Sequence, residues 1–180
     1  MQEKELIQEL KSQNGKNQAF NTLVKKYQEK LYWHIRRIVI KHDDCDDVLQ
    51  NTFIKVWNNI ENFRAESSLY TWLFRIATNE SLTFLAQQKR RRIVFHGEEN
   101  EFLSENLESD EYFDGNEIQL KLQKAILKLP EKQRIVFNMK YFDDIKYCEM
   151  AQILDTSEGA LKASYHHAVK KIEDYLKNDS

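Results

Sequence analysis

Apolar residues recur every three or four positions along most of the chain, the spacing that lines one face of a helix. Phe20, Leu23, Val24, Tyr27, Leu31, Ile35 and Ile38 predict a helix from about Asn17 to Ile40 with a basic opposite face. After the polar stretch Lys41 to Asp44, whose acids suit a helix N-terminus, Val48, Leu49, Phe53, Val56, Trp57 and Ile60 predict a second. A third starts behind the capping pair Ser67-Ser68 and runs through Leu69, Trp72, Leu73, Ile76 and Ala77 to a basic end at Lys89-Arg90-Arg91-Arg92. Beyond position 116 the pattern resumes in Ile118, Leu122, Ala125, Ile126 and Leu129. Pro130 then stops that helix while fitting the first turn of the next, which carries Ile135, Val136 and Met139. Tyr147 to Leu154, the short turn Asp155-Thr156-Ser157 and a long helix through Ala160, Leu161, Ala168, Ile172 and Leu176 have the spacing of a helix-turn-helix, with Ala151 as the small contact residue and Leu161 as the apolar anchor.

Composition agrees with an all-α fold. Of 180 residues, 41% are hydrophobic, 31% charged and 12% aromatic, too apolar for wholesale disorder. Four Gly and one Pro leave little turn vocabulary for a sandwich or barrel. No long uncharged apolar run predicts membrane insertion, and charges fill Met1 to Leu10 where a signal peptide needs an apolar core. Cys45 and Cys148 lie far apart in helical patterns, which predicts reduced, buried or half-buried thiols and a cytoplasmic location.

Charge divides the chain. Residues 1–95 hold 16 Lys/Arg against 11 Asp/Glu, residues 96–120 hold none against 9, and residues 121–180 hold 11 against 9. We therefore expect two small helical domains, 1–94 and 117–180, joined by an acidic flexible linker over 95–116. The linker's carboxylates, among them Glu98, Glu99, Glu101, Glu105, Glu108, Asp110 and Glu111, suit either a solvated tether or a polyanion received by a basic surface.

The most enzyme-like feature is His42-Asp43-Asp44-Cys45-Asp46-Asp47, rich in oxygen, nitrogen and sulfur ligands. A metal-dependent hydrolase needs further histidines converging from other helices, and only His34, His96, His166 and His167 remain, two of them in the other domain. The cluster is read as an acidic helix N-terminus facing solvent or a basic partner. With no Gly-rich phosphate loop, GxSxG or Cys/His signature, no catalytic residue, metal or cofactor is assigned. Nucleic-acid signals occur twice. Arg64, Arg75 and the 89–92 basic run are interleaved with Phe63, Tyr70, Trp72 and Phe74, a pairing suited to unstacked single strands. Lys162, Ser164, His166, His167, Lys170 and Lys171 offer phosphate and base-edge partners on the helix that the turn presents to a major groove.

Three stretches carry a family resemblance: Asp44 to Trp57 (DCDDVLQNTFIKVW), Phe63 to Asn79 (FRAESSLYTWLFRIATN), and Leu129 to Phe137 (LPEKQRIVF) with Glu149-Met150-Ala151 and Ser157-Glu158-Gly159. Together they resemble the bacterial sigma factors of the extracytoplasmic-function group, over nearly the whole chain. The resemblance implies a dissociable subunit of RNA polymerase whose first domain binds the core enzyme and opens the minus-ten DNA, while the second reads the minus-thirty-five duplex. Core contacts fall on Asp46, Asp47, Gln50, Phe53 and Trp57. Minus-ten contacts fall on Asn62, Phe63, Arg64, Ser67, Ser68, Arg75, Asn79, Lys89, Arg90, Arg91 and Arg92. Minus-thirty-five contacts fall on Ser157, Lys162, Ser164, His166, His167, Lys170 and Lys171. An anti-sigma factor is the expected inhibitor. The chain departs from the family pattern at Asp144, where Gly is usual, at Asp155 in the turn, at Thr83, where an acid or Asn is common, and at Ser164 and His167, where Arg is common. The competing expectation is a stand-alone helix-turn-helix regulator with an N-terminal sensing domain, which would bind duplex DNA without polymerase.

Overall fold

The computed structural model describes residues 3–93, 107 and 117–178. The described residues hold eight α-helices: α1 Glu3–Leu10, α2 Lys16–Val39, α3 His42–Asn59, α4 Leu69–Ile93, α5 Glu117–Leu127, α6 Glu131–Tyr141, α7 Tyr147–Leu154 and α8 Glu158–Asn178, with a 3₁₀ turn at Ile60–Asn62. The 95–116 linker lies outside the described residues apart from Leu107, which is buried in the main core.

Helices α2, α3 and α4 pack mutually in the first domain, because each turns an apolar stripe inward: Leu23, Leu31 and Ile35 from α2, Val48 and Val56 from α3, Leu73 and Ala77 from α4. Helix α1 was not foreseen. Its eight residues carry only two wholly buried positions, Leu6 and Leu10, at the i,i+4 spacing that covers the side of α2. In the second domain α8 packs on α5, α6 and α7, with Phe137, Ala168 and Ile172 at the centre of a smaller core. Ile118, expected to be apolar packing, is 77% exposed, since it precedes the part of α5 that α8 covers. Cys45 is buried as expected, but Cys148 is exposed on α7.

Both departures from the family's glycine positions have one backbone cause. Asp144 (φ 48°) and Asp155 (φ 51°) are left-handed, a conformation that glycine adopts freely and that Asp tolerates better than most residues. Asp155 sits at the C-cap of α7 with its N–H bonded to the Ala151 carbonyl, so the turn of the helix-turn-helix forms despite the missing glycine. Asp155→Gly should relieve part of the ~1–2 kcal/mol left-handed penalty and raise the melting temperature by about 2 °C, read by circular dichroism. An unchanged or lower midpoint would show that the Asp155 side chain makes a compensating contact.

The two domains form one body. Helix α7 packs on α4 and α6 packs on α2, so the main hydrophobic core is continuous across both, with Ile135, Met139, Met150 and Ile153 joining the first domain's residues.

Candidate nucleic-acid interface

The loop from Ile60 to Ser68 is held from both sides. At its far end, Ser68 Oγ accepts the Thr71 N–H at 3.1 Å, the capping bond that the Ser67-Ser68 pair suggested, and Glu3 Oε1 of α1 accepts the Leu69 N–H at 3.0 Å. At the near end, the Lys11 ammonium donates to the Phe63 carbonyl and Lys16 pairs with Glu61 at 2.8 Å. Within it, Ala65 has a left-handed φ of 57°. Helix α1, Lys11 just after it and the start of α2 therefore brace a loop 45 to 66 residues away, a contact no local pattern announces.

An open cavity of about 460 Å³ lies on this loop, walled by Asn62, Phe63, Arg64, Ser67, Trp72 and Arg75. That volume is ample for a nucleobase. Phe63 is buried and its ring lies 5.0 Å from Trp72, so it forms part of the wall and is not a free stacking platform. Tyr70 and Phe74 stack on each other at 4.1 Å between the domains and take no part in the cavity. Arg75 and Asn79, four residues apart, are exposed along one line of α4 that continues towards the exposed Lys89, Arg90 and Arg91. The cavity also uses Thr71, Glu66 and Gln152, which sequence reasoning did not single out; Gln152 comes from α7 of the second domain.

On α3 the residues expected at a partner surface divide. Asp46, Asp47 and Gln50 are exposed, whereas Phe53 and Trp57 are half-buried against Phe20, with ring centroids 6.2 and 5.0 Å away, and Lys16 lies over the Trp57 ring. The two aromatics thus brace α3 against α2 and present only part of their surface. Among the described residues no group of three or more His, Cys, Asp or Glu side chains is placed to hold a metal ion. His42 instead hydrogen-bonds Tyr32 and approaches Asp46, and burial pushes the Cys45 thiol up to about 12.

Ser157, just before α8, and Lys162, His166, His167, Lys170 and Lys171 on it are all exposed. Ser164 stands apart from them. It falls three residues after Leu161 and four before Ala168, both buried, so it turns inward and lines a cavity with Leu82, Ile135 and Leu161.

Comparison with known proteins decides what this arrangement is. Residues 23–91 match the family model for sigma-70 region 2, and residues 119–172 match that for sigma-70 region 4. The chain is 31% identical to the ECF RNA polymerase sigma-E factor of Haemophilus influenzae, covering 91% of this chain and 90% of the relative. It is also 31% identical to the RNA polymerase sigma-H factor of Pseudomonas aeruginosa, over 97% and 94%. The chain belongs to the extracytoplasmic-function group of sigma factors. It is an alternative sigma factor, a DNA-binding subunit that directs transcription initiation by RNA polymerase. Two solved structures share the fold: CnrH in complex with the cytosolic domain of CnrY, at a TM-score of 0.70 and 23% identity over 99% of both chains, and the sigma factor RpoE of Bartonella quintana in complex with the anti-sigma factor NepR, at 0.66 and 22% over 89% and 98%. The stand-alone regulator is not favoured, since a region 2 module fills the place where a sensing domain would lie.

Proposed function

We propose that residues 1–94 of this sigma factor carry core-polymerase binding and minus-ten opening, that residues 117–180 carry minus-thirty-five recognition, and that 95–116 link them. The observation that carries this reading is the cavity: five of the expected minus-ten residues, Asn62, Phe63, Arg64, Ser67 and Arg75, line one hollow large enough for a base, with Asn79 exposed a turn further along α4. Flipping a base out of a duplex costs a few kcal/mol, and a pocket with stacking worth ~1–3 kcal/mol per base offsets it. Recognition then pulls melting along. Asp46, Asp47 and Gln50 meet the core enzyme, with the exposed edges of Phe53 and Trp57 beside them. Ser157, Lys162 and His166 face bases, while His167, Lys170 and Lys171 face phosphates; Ser164 supports the helix from behind.

The factor works by binding, without a reaction of its own, in the cytoplasm where the polymerase acts. No helix among the described residues is long and apolar enough to cross a membrane. An anti-sigma factor is the proposed regulator, because a solved protein of this fold was captured in such a complex. The defining test is reconstitution: the purified chain with core polymerase should start transcription at discrete sites on bacterial genomic DNA that core alone does not use. Absence of any such site would overturn the reading.

Residues 121–180 carry a net charge of only +2. Phosphate neutralisation supplies most sequence-independent affinity, so the free chain should bind duplex promoter DNA far more weakly than the holoenzyme does. Fluorescence anisotropy on a promoter duplex at physiological salt measures this. Nanomolar binding by the free chain would restore the stand-alone regulator.

A further inference from the structure

Where α6 and α7 pack on α2 and α4, one carboxylate bridges the two domains. Asp143, in the turn between α6 and α7, accepts a hydrogen bond from His34 Nδ1 at 2.8 Å and from an Arg37 guanidinium nitrogen at 2.7 Å, both on α2. His34 is 1% exposed, and its Nε2 is paired with the Thr78 hydroxyl of α4 at 2.8 Å, so the acceptor from the second domain completes a polar cluster inside the first. Arg37 also lies 4.7 Å from the Phe142 ring, and the Asn138 amide donates to the Arg37 carbonyl. Around this point α7 covers α4, Gln152 reaches the rim of the minus-ten cavity, and Ser164 with the turn residues Asp155 and Thr156 faces Leu82 of α4.

This closed form cannot serve a promoter. Elements centred 35 and 10 positions upstream lie about 25 base pairs apart, roughly 85 Å of duplex at ~3.4 Å per pair. A compact 180-residue chain has a radius of gyration of only ~16 Å, so surfaces on domains in contact cannot reach both elements at once. The domains must part before both are read.

We propose that Asp143 is the latch of a self-inhibited closed state: its bonds to His34 and Arg37 hold α7 over α4 beside the minus-ten cavity, and their rupture is a required step before holoenzyme can engage a promoter. The proposal rests on the sigma-factor reading of the cavity, but the closed state itself is measurable without polymerase. Breaking the latch leaves His34 and Arg37 facing each other without their shared acceptor, and loss of a hydrogen-bonded charge shifts such a two-state equilibrium by about tenfold or more.

The test uses the full chain with a donor dye on native Cys148 and an acceptor on Gln28→Cys, both exposed. Labelling is selective because Cys45 is buried and its thiol is pushed up to about 12, leaving it almost wholly protonated at neutral pH. Single-molecule energy transfer should show a predominant high-transfer population. Asp143→Asn, nearly the same shape without the charge, should raise the low-transfer population about tenfold or more. Arg37→Met should act in the same direction, and the exchanged pair Arg37→Asp with Asp143→Arg should return most molecules to high transfer. Both single variants should also associate faster with core polymerase. Circular dichroism checks folding; if Asp143→Asn fails it, the partly exposed Arg37→Met decides alone. A wild type that is mainly low-transfer, or correctly folded single variants with unchanged populations, would overturn the latch. The expected latch behaviour without any binding to core polymerase would instead overturn the proposed core-binding role.

Discussion

Replacing Asp47 and Gln50 together with alanine raises the dissociation constant for core polymerase by about thirtyfold or more, with folding unaffected. Interface energy concentrates in a few anchors whose loss costs about 2 kcal/mol or more, and every 1.4 kcal/mol is about tenfold in affinity. Both residues are exposed, while α3 is held by the buried Val48, Thr52 and Val56 on its other face. Alanine also favours the helix. Trp57→Ala would be a poor substitute for this pair, since its ring packs 5.0 Å from Phe20 and beneath Lys16, so lost packing would be mixed with lost binding. Titration of labelled protein with core enzyme reads the affinity, and a thermal melt reads the fold. Equal affinity for wild type and variant would remove α3 from the core interface.

The second large effect is expected at promoter opening. Arg75→Ala with Asn79→Ala strips two exposed polar groups from the line of α4 that leaves the cavity, and Arg64→Ala strips the loop side. Each variant should cut permanganate reactivity of the opened bases by tenfold or more, the scale set by ~1–3 kcal/mol per held base, while core affinity stays at the wild-type value. Where a phosphate contact is lost, the dependence of single-strand binding on log salt should also flatten by ~0.7 per contact. Unchanged reactivity in both variants would show that the hollow does not hold the opened strand.

Which elements were legible follows from how locally each is encoded. The expected Asn17–Ile40 helix appears as Lys16–Val39 because its long apolar stripe leaves little choice of frame, and the helix expected behind Ser68 starts at Leu69 because Ser68 caps it. The turn of the helix-turn-helix was equally readable, down to Asp155 at the position glycine would fill most easily, which is left-handed in the structure. Helix α1 was hidden because Leu6, Ile7 and Leu10 give only one short turn of apolar pattern; its role becomes visible only when Glu3 within it and Lys11 just after it are found gripping the Phe63–Leu69 loop. Periodicity likewise named Ile118 as apolar-facing and could not tell that it would stand 77% exposed. Ser164 shows the reverse case: a polar residue chosen by its neighbourhood on a basic helix, yet three positions from buried Leu161 and so turned inward.

By itself the sequence determined the all-α class and the helix-turn-helix, since each depends on spacing within some twenty residues, and its motifs carried the resemblance to sigma factors. Tertiary structure alone decided that the loop encloses a cavity, that Phe63 is wall, that Phe53 and Trp57 are partly spent on packing, and that Asp143 reaches His34 and Arg37 across more than a hundred residues. Such contacts depend on which faces meet once the helices are packed. A periodic pattern shows that a helix has an apolar face to bury, but only the packed chain shows against what, and which polar groups then need partners from a distant segment.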